Sequence, residues 1–164
     1  MKLRRLEPQD LAAFQAYRND PDVGRWQGWY PKSDDEALAF LNEMAAARPF
    51  RPGEWTQLGI ADELTGQLLG DLGVYVHSNG IEAELGFTLA RTAQGRGIAS
   101  AAVREAIALV LDETPVTRLY AQTDARNTAC VRLLERLGAP LIQRIDTEFR
   151  GEPCVELRYE LARR

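Results

Sequence analysis

Residues Ala93 to Ser100 read AQGRGIAS. Two glycines flank an arginine, and the alanine-rich run AAVREAIALVL follows at once. Such a stretch is either a plain turn into a helix or a backbone cradle for an anion. The first amides of a helix lack intrahelical acceptors and sit at the positive end of its dipole, so they bind anions. Glycine at 95 and 97 lets the backbone approach a bulky ligand without interference from Cβ. Arg96 adds positive charge, and no acidic residue stands between Arg91 and Glu105. Spacing removes two other phosphate cradles: no GK[ST] follows, as a P-loop requires, and GxGxxG needs a glycine where Ser100 stands.

Outward from the loop, the pattern alternates between strand and helix periods. IEAELGFTLA before it reads as a strand, and a helix after it runs to about Asp112, stopped by Thr114-Pro115. Upstream, TQLGIAD and GQLLGDLGVYV flank the turn ELTG, and Ser78-Asn79-Gly80 marks a second turn, so these strands form an antiparallel meander. Downstream, TRLYAQT is a strand. Asp124 is placed to cap the helix ARNTACVRLLERL, which Gly138 ends. LIQRIDTEF and PCVELRYEL then close the chain as a hairpin around Arg150-Gly151.

The N-terminal third carries a strand with Leu3 and Leu6, then a helix with Leu11, Phe14 and Tyr17 on one face. Asn19-Asp20-Pro21 ends that helix, because the residue before proline avoids the helical region. VGRWQGWYP reads as an aromatic loop. Ser33 and Glu36 form a capping box for a helix to about Ala47. The expected order is β-α-α-β-β-β-α-β-α-β-β, an α+β (mixed α/β) sheet with helices packed on it.

With 164 residues the chain suits one domain, 1–164, with one sizeable core. Net charge is −4, so no global basic field draws nucleic acid, and any anion site must be local. Apolar runs are short and broken by charge, which excludes a membrane span, and MKLRRLEPQD lacks the apolar stretch of a signal peptide. Cys130 and Cys154 form no CxxC pair and have no histidine cluster beside them; the chain reads as cytoplasmic, reduced and metal-free.

Gln94-Gly95-Arg96-Gly97-Ile98-Ala99 resembles the Q/R-x-x-G-x-G/A signature of the GNAT superfamily of acyl-CoA-dependent N-acyltransferases. AELGFTLA is similar to that family's central strand, and NTACVRLLERLGA to its second signature around an asparagine. YRNDPDVGRWQGW is similar to openings in the branch with the ribosomal-protein N-terminal (Rim-type) acetyltransferases. The resemblance implies the GNAT fold, a mostly antiparallel sheet of about seven strands with about four helices. It also implies transfer of an acetyl group from acetyl-CoA directly to an amine, without a covalent enzyme intermediate. By the same resemblance Phe87, Thr88 and Leu89 face pantetheine. Gln94, Gly95, Arg96, Gly97, Ile98 and Ala99 hold the pyrophosphate, and Asn127 contacts the pantetheine region.

The chemistry needs a base for the amine, stabilisation of the thioester oxygen and departure of the thiolate. Glu84 is the candidate base. Strand alternation sets Glu82 on the same face, a second candidate nearer the hairpin, and Leu85 on the other; the alternative reading, favoured for Glu82, is a solvated position of a half-buried strand. Many relatives carry a tyrosine seven residues after the asparagine, to protonate the leaving thiolate; here the position is Leu134. Cys130 is the candidate acid in its place, in the first turn of a helix, where thiol pKa values fall. Its alternative reading is a small buried hydrophobe. His77 reads as a surface residue without partners, and Cys154 as packing.

Trp26, Trp29 and Tyr30 are candidates for the wall of the acceptor cleft, or else core anchors. Trp55 begins a strand. The acceptor is a peptide N-terminal α-amine or a small amine, with an aminoglycoside as the alternative, and the protein is a monomer or a homodimer. A non-catalytic acyl-CoA sensor is the competing class, for which Leu134 leaves room.

Overall fold

The computed structural model describes all residues 1–164. Its elements are β1 (Lys2–Arg5), α1 (Leu11–Arg18), α2 (Pro21–Gly24), α3 (Asp34–Ala46), β2 (Trp55–Ala61), β3 (Leu68–Val76), β4 (Glu82–Leu89), α4 (Ile98–Glu113), β5 (Arg118–Asp124), α5 (Thr128–Arg136), β6 (Leu141–Phe149) and β7 (Glu152–Arg163). The sheet has 7 strands in the order β1-β2-β3-β4-β5-β7-β6. All neighbours are antiparallel except β4 and β5. This is the mixed, mostly antiparallel seven-stranded sheet that the resemblance to the GNAT family implies.

Two departures are local. VGRWQGWYP does not begin as loop: Pro21 starts α2, with the Asp20 side chain accepting from the Asp22 amide. Proline at the first helical position needs no N–H partner, and four residues are too few to show a helical period. The cap of α5 is Asn127, whose side-chain oxygen accepts from the Cys130 amide at 3.3 Å, and not Asp124. Asp124 is the last residue of β5, where its carboxylate binds the Arg126 guanidinium at 2.8 Å.

Strand alternation divides the sheet into two faces. One carries Leu58, Ile60, Leu72, Val74, Leu85, Leu119 and Leu157, all buried with the apolar stripe of α4, which is Ile98, Ala102, Val103, Ala106 and Val110. That stripe recurs at three- and four-residue steps, and its alanines let the helix lie close to the strands. Leu134 of α5 is fully buried in the same core. Each fully buried leucine there contributes about 1.5–3 kcal/mol of hydrophobic stabilisation.

The opposite face is covered only at one end. Leu6, Phe14, Tyr17, Val23, Ala37, Leu41 and Leu68 form a smaller core under α1 and α3. Beyond it the face is polar and open. The β4–β5 ladder has just three pairs, ending at Glu84 opposite Tyr120, so the two strands part beyond that point. The parting of a parallel pair in mid-sheet frees backbone groups of Leu85 to Leu89 on the β5 side, and it positions the site. No helix is long and apolar enough to cross a membrane.

Candidate active site

The AQGRGIAS loop is the junction between β4 and α4. Gly95 and Gly97 lie at φ 72° and 75°, the left-handed region that side chains rarely adopt. Gly97 is the N-cap of α4, and no side chain caps the helix. The amides from Gly95 to Ser100 donate to no backbone carbonyl. A Cβ built at either glycine meets nothing within 4 Å, so this row of amides opens outward. Gln94 turns its side chain back and donates to the Leu89 carbonyl at 3.1 Å, fixing the loop to the end of β4. Six unengaged amides at a helix N-terminus have the geometry that suits an anion.

Against this loop lies a cavity of about 510 Å³. It brings together Phe87, Thr88 and Leu89 from β4, Gln94, Gly95 and Ala99 from the loop, and Asn127 and Cys130 from α5. Arg96 and Gly97 are exposed beside it, and Ile98 is buried toward the core, so these three do not line it. Trp26 closes one side, its ring near Phe149 and under the guanidinium groups of Arg25 and Arg126. Among the lining residues that the sequence did not single out, the two cationic ones are Arg132 and Arg136 of α5. Their i,i+4 spacing puts them on one helical face. That spacing after Asn127 was the available signal. A cleft of similar volume at the other end of α4, around Arg48, Phe50 and Glu113, contains none of these residues.

Cys130 lines the cavity and is half-buried. Burial pushes its thiol pKa up, opposed in part by a hydrogen bond with Thr123. The raised direction runs against the lowering that a helix N-terminus gives a thiol, and it favours the protonated sulfur.

On the open sheet face, at the mouth of the β4–β5 gap, stands Glu84. Burial is the main cause that raises its pKa, the Glu156 charge adding to it, while the Gln122 hydrogen bond and the charges of Arg158 and His77 act the other way. Gln122 donates to the Glu84 carboxylate at 3.4 Å, and Arg158 fixes Gln122 by donating to its oxygen at 2.8 and 3.0 Å. Arg158 in turn lies 4.2 Å from the Tyr120 ring centroid. A carboxylate with raised pKa, oriented by an amide and bordering a gap between strands, has the properties of a general base.

Glu82 is committed elsewhere. Its carboxylate meets Arg118 at 3.3 Å and lies 3.9 Å from His77 Nδ1. His77 is not the isolated surface residue expected from its singularity. Its Nε2 lies 2.8 Å from the Tyr120 hydroxyl, whose pKa is pushed up to about 12 mainly by burial.

The first-loop aromatics separate in role. Trp29 is an anchor: Arg18 lies 4.2 Å from its ring centroid and 4.8 Å from that of Phe14, and the Trp29 indole donates to Thr88 Oγ1 at 3.3 Å. Arg18 pairs with the fully buried Asp71 at 2.6 Å, where Tyr17 and Gln57 also donate. Burial and this carboxylate raise the Tyr17 pKa well above its ordinary value. Tyr30 is exposed, under the guanidinium of Arg150 at 4.8 Å. Arg150, at the tip of the β6–β7 hairpin, donates to the carbonyls of Gly24, Gln27 and Trp29. The hairpin and the first loop thus roof the open face together.

Comparison with known proteins agrees with this fold. The family model described as acetyltransferase (GNAT) domain matches residues 1–140. A Bacillus licheniformis protein described as the uncharacterized N-acetyltransferase p20 is 26% identical over 144 residues, 84% of this chain and 78% of that one. Mycothiol acetyltransferase of Salinispora tropica is 29% identical over 138 residues, 72% of this chain and 45% of that one. In fold, the chain superposes with TM-score 0.84 on an acetyltransferase (GNAT family) from Bacillus anthracis, at 18% identity, covering 98% of this chain and 93% of that one. Spermidine N-acetyltransferase from Vibrio cholerae, solved in complex with CoA and spermine, gives 0.83 at 20% identity, covering 99% and 95%. With the amide cradle, the parted strands and a family match over most of its length, the chain belongs to the GNAT acetyltransferases and is an acyltransferase.

Proposed function

We propose that the protein transfers an acetyl group from acetyl-CoA to a small primary amine, with Glu84 as general base. The observation that carries this is the position of Glu84 at the last β4–β5 pair. There the polar sheet face meets the gap, and three residues further along β4 Phe87, Thr88 and Leu89 line the cavity beside the glycine loop. The residues present fit acetyl-CoA. The amide row with Arg132 and Arg136 suits its phosphates, and Phe87, Leu89, Ala99 and Leu133 offer apolar walls to its pantetheine arm. Bound there, acetyl-CoA supplies a thioester whose carbonyl carbon the amine attacks directly.

In this reading Glu84 takes a proton from the acceptor's ammonium, the neutral amine then attacks, and Gln122, held by Arg158, keeps the carboxylate turned toward the gap. Free amides of β4 between Leu85 and Leu89 are the candidate donors to the thioester oxygen. The Cys130 thiol, kept protonated by burial, is the candidate proton source for the departing sulfur. Leu134 is fully buried in the core and has no part in it.

A small acceptor is favoured over an extended peptide because Arg150 ties the hairpin tip to the first loop and narrows the open face. The spermidine enzyme's fold likeness points the same way. Similarity of the YRNDPDVGRWQGW opening to the Rim-type branch favours a peptide α-amine instead. Acetyl-CoA turnover against small mono- and diamines, ribosomal-protein N-terminal peptides and aminoglycosides tests the proposal, with highest kcat/KM expected for small amines. Acetyl-CoA binding without turnover on any amine would replace it with the sensor reading.

A further inference from the structure

Along the open face, the β3–β4 ladder passes through three different environments. Asp71 opposite Thr88 is sealed beneath Tyr17, Arg18 and Trp29. Tyr75 opposite Glu84 presents an aromatic ring beside the candidate base. Between them, Gly73 stands opposite Gly86, a step with no side chain on either strand. Glycine inside a strand weakens it, and it often marks a place where something else approaches the backbone.

The two glycines differ. A Cβ at Gly73 would lie 3.1 Å from the Trp55 ring and 2.7 Å from the Gln57 side chain, so that position is already roofed by the protein itself. A Cβ at Gly86 meets nothing within 4 Å, and Gly86 is not at positive φ. Neither backbone conformation nor internal packing therefore requires glycine there. Gly86 also lies just past the last β4–β5 pair, two residues from Glu84 on the same face. From this open spot a run of rings leads away: Trp55 to Tyr75 at 5.4 Å and Tyr75 to His77 at 5.6 Å, ending at the Glu82 carboxylate. Trp55 is 48% exposed.

We infer that Gly86 is the seat of the acceptor's reacting end and that Trp55 and Tyr75 form the rail for its remainder, the acceptor being an aliphatic amine with a second cationic group. This deepens the proposed function and rests on it. Ring faces attract a cation and an aliphatic chain alike. The Tyr75–Glu84 step lies about 7 Å from Gly86 at strand rise, within reach of a four-carbon diamine, and Glu82 lies about 13 Å away, within reach of a longer polyamine chain only. Glu84 borders this path with the Glu156 charge near it, Glu82 shares its carboxylate with Arg118 at the far end, and Arg158 is engaged with Gln122 and the Tyr120 ring.

The test compares 1,4-diaminobutane with butylamine in steady-state acetylation by wild type, Gly86→Ala, Gly86→Leu and Trp55→Ala. Acetyl-CoA affinity by calorimetry and thermal melting accompany each variant. Wild type is expected to favour the diamine by about tenfold in kcat/KM, the scale of one cation–ring contact. Trp55→Ala should remove that preference by lowering kcat/KM for the diamine more than for butylamine, with kcat for butylamine the least affected. Gly86→Leu should lower turnover of both amines by about 10²-fold, the scale of lost positioning, with Gly86→Ala between. Acetyl-CoA affinity and melting should stay at wild-type values throughout. Wild-type turnover by Gly86→Leu, or an undiminished diamine preference in Trp55→Ala, overturns this inference and leaves the acetyltransferase reading intact. Wild-type protein that binds acetyl-CoA and acetylates neither these amines nor any other overturns both.

Discussion

Gln122 donates its side-chain amide to the Glu84 carboxylate at 3.4 Å, across the point where β4 and β5 part. Arg158 holds the other end of that amide. The arrangement fixes the carboxylate's direction without neutralising it by direct ion pairing. Replacing Glu84 with Gln keeps the shape and removes the basic oxygen. We expect kcat to fall by about 10²-fold or more, the usual weight of general-base catalysis. Acetyl-CoA affinity should be retained. Unchanged turnover across pH in this variant would remove Glu84 from the role.

The same contacts predict a pH dependence with opposite signs for two neighbours. Glu84 acts in its ionised form, so kcat/KM falls as pH drops through its pKa. Burial places that pKa above the ordinary glutamate value of about 4.3. The Arg158 charge lowers it and the Glu156 charge raises it. Arg158→Met should therefore move the acidic limb of the profile to higher pH, and Glu156→Gln should move it to lower pH. Shifts in the same direction, or none, would show that another group controls the limb.

What could be read from the sequence depended on whether the signal was local. The order of strands and long helices follows from periodicity and capping, and Ser33 with Glu36 makes the capping box that their spacing implies. The glycine loop was legible because its residues are contiguous and their backbone conformation is itself the device. His77 was misread because its partner Tyr120 is 43 residues away and meets it only through sheet register. The Trp29 alternatives could not be separated without seeing Arg18 lie against its ring. Asp124 and Asn127 are both good capping residues; what decides between them is the carboxylate's pairing with Arg126. Trp55 and Tyr75 become one surface only when β2 and β3 are aligned, since nothing in either segment alone marks it.

Gly97 gives a direct test of the cradle. At φ 75° a side chain costs about 1–2 kcal/mol of stability, too little to unfold the chain. The added atoms of Gly97→Leu would stand where the amide row opens outward. Acetyl-CoA affinity measured by calorimetry should fall by at least about 10²-fold, since the pyrophosphate loses its approach to the backbone. Melting should show a folded protein. Retained affinity would return the loop to being a turn.

Asp71 predicts a structural effect of another kind. Its carboxylate is fully buried and receives Arg18, Tyr17 and Gln57. Asp71→Ala leaves the Arg18 guanidinium buried without its partner, a change that costs about 3–5 kcal/mol. Urea unfolding should register this loss. The first loop should loosen as well, because Trp29 packs on that guanidinium. A loss below about 1 kcal/mol, the level of an exposed pair, would mean that water reaches the cluster.

Cys130 separates chemistry from packing by the order of two variants. The thiol lines the cavity, and burial raises its pKa, so it stays protonated through neutral pH and can donate. Cys130→Ser keeps a donor of similar size, whereas Cys130→Ala keeps only the bulk near the backbone. If the thiol protonates the departing sulfur, kcat should hold in the serine variant and fall about tenfold or more in the alanine variant, with KM for acetyl-CoA unchanged in both. Chemical modification of the thiol would be a poorer probe, because added bulk in the cavity blocks acetyl-CoA whatever the role of the sulfur. Equal, full activity in both variants would make Cys130 packing alone, with the thiolate leaving unassisted.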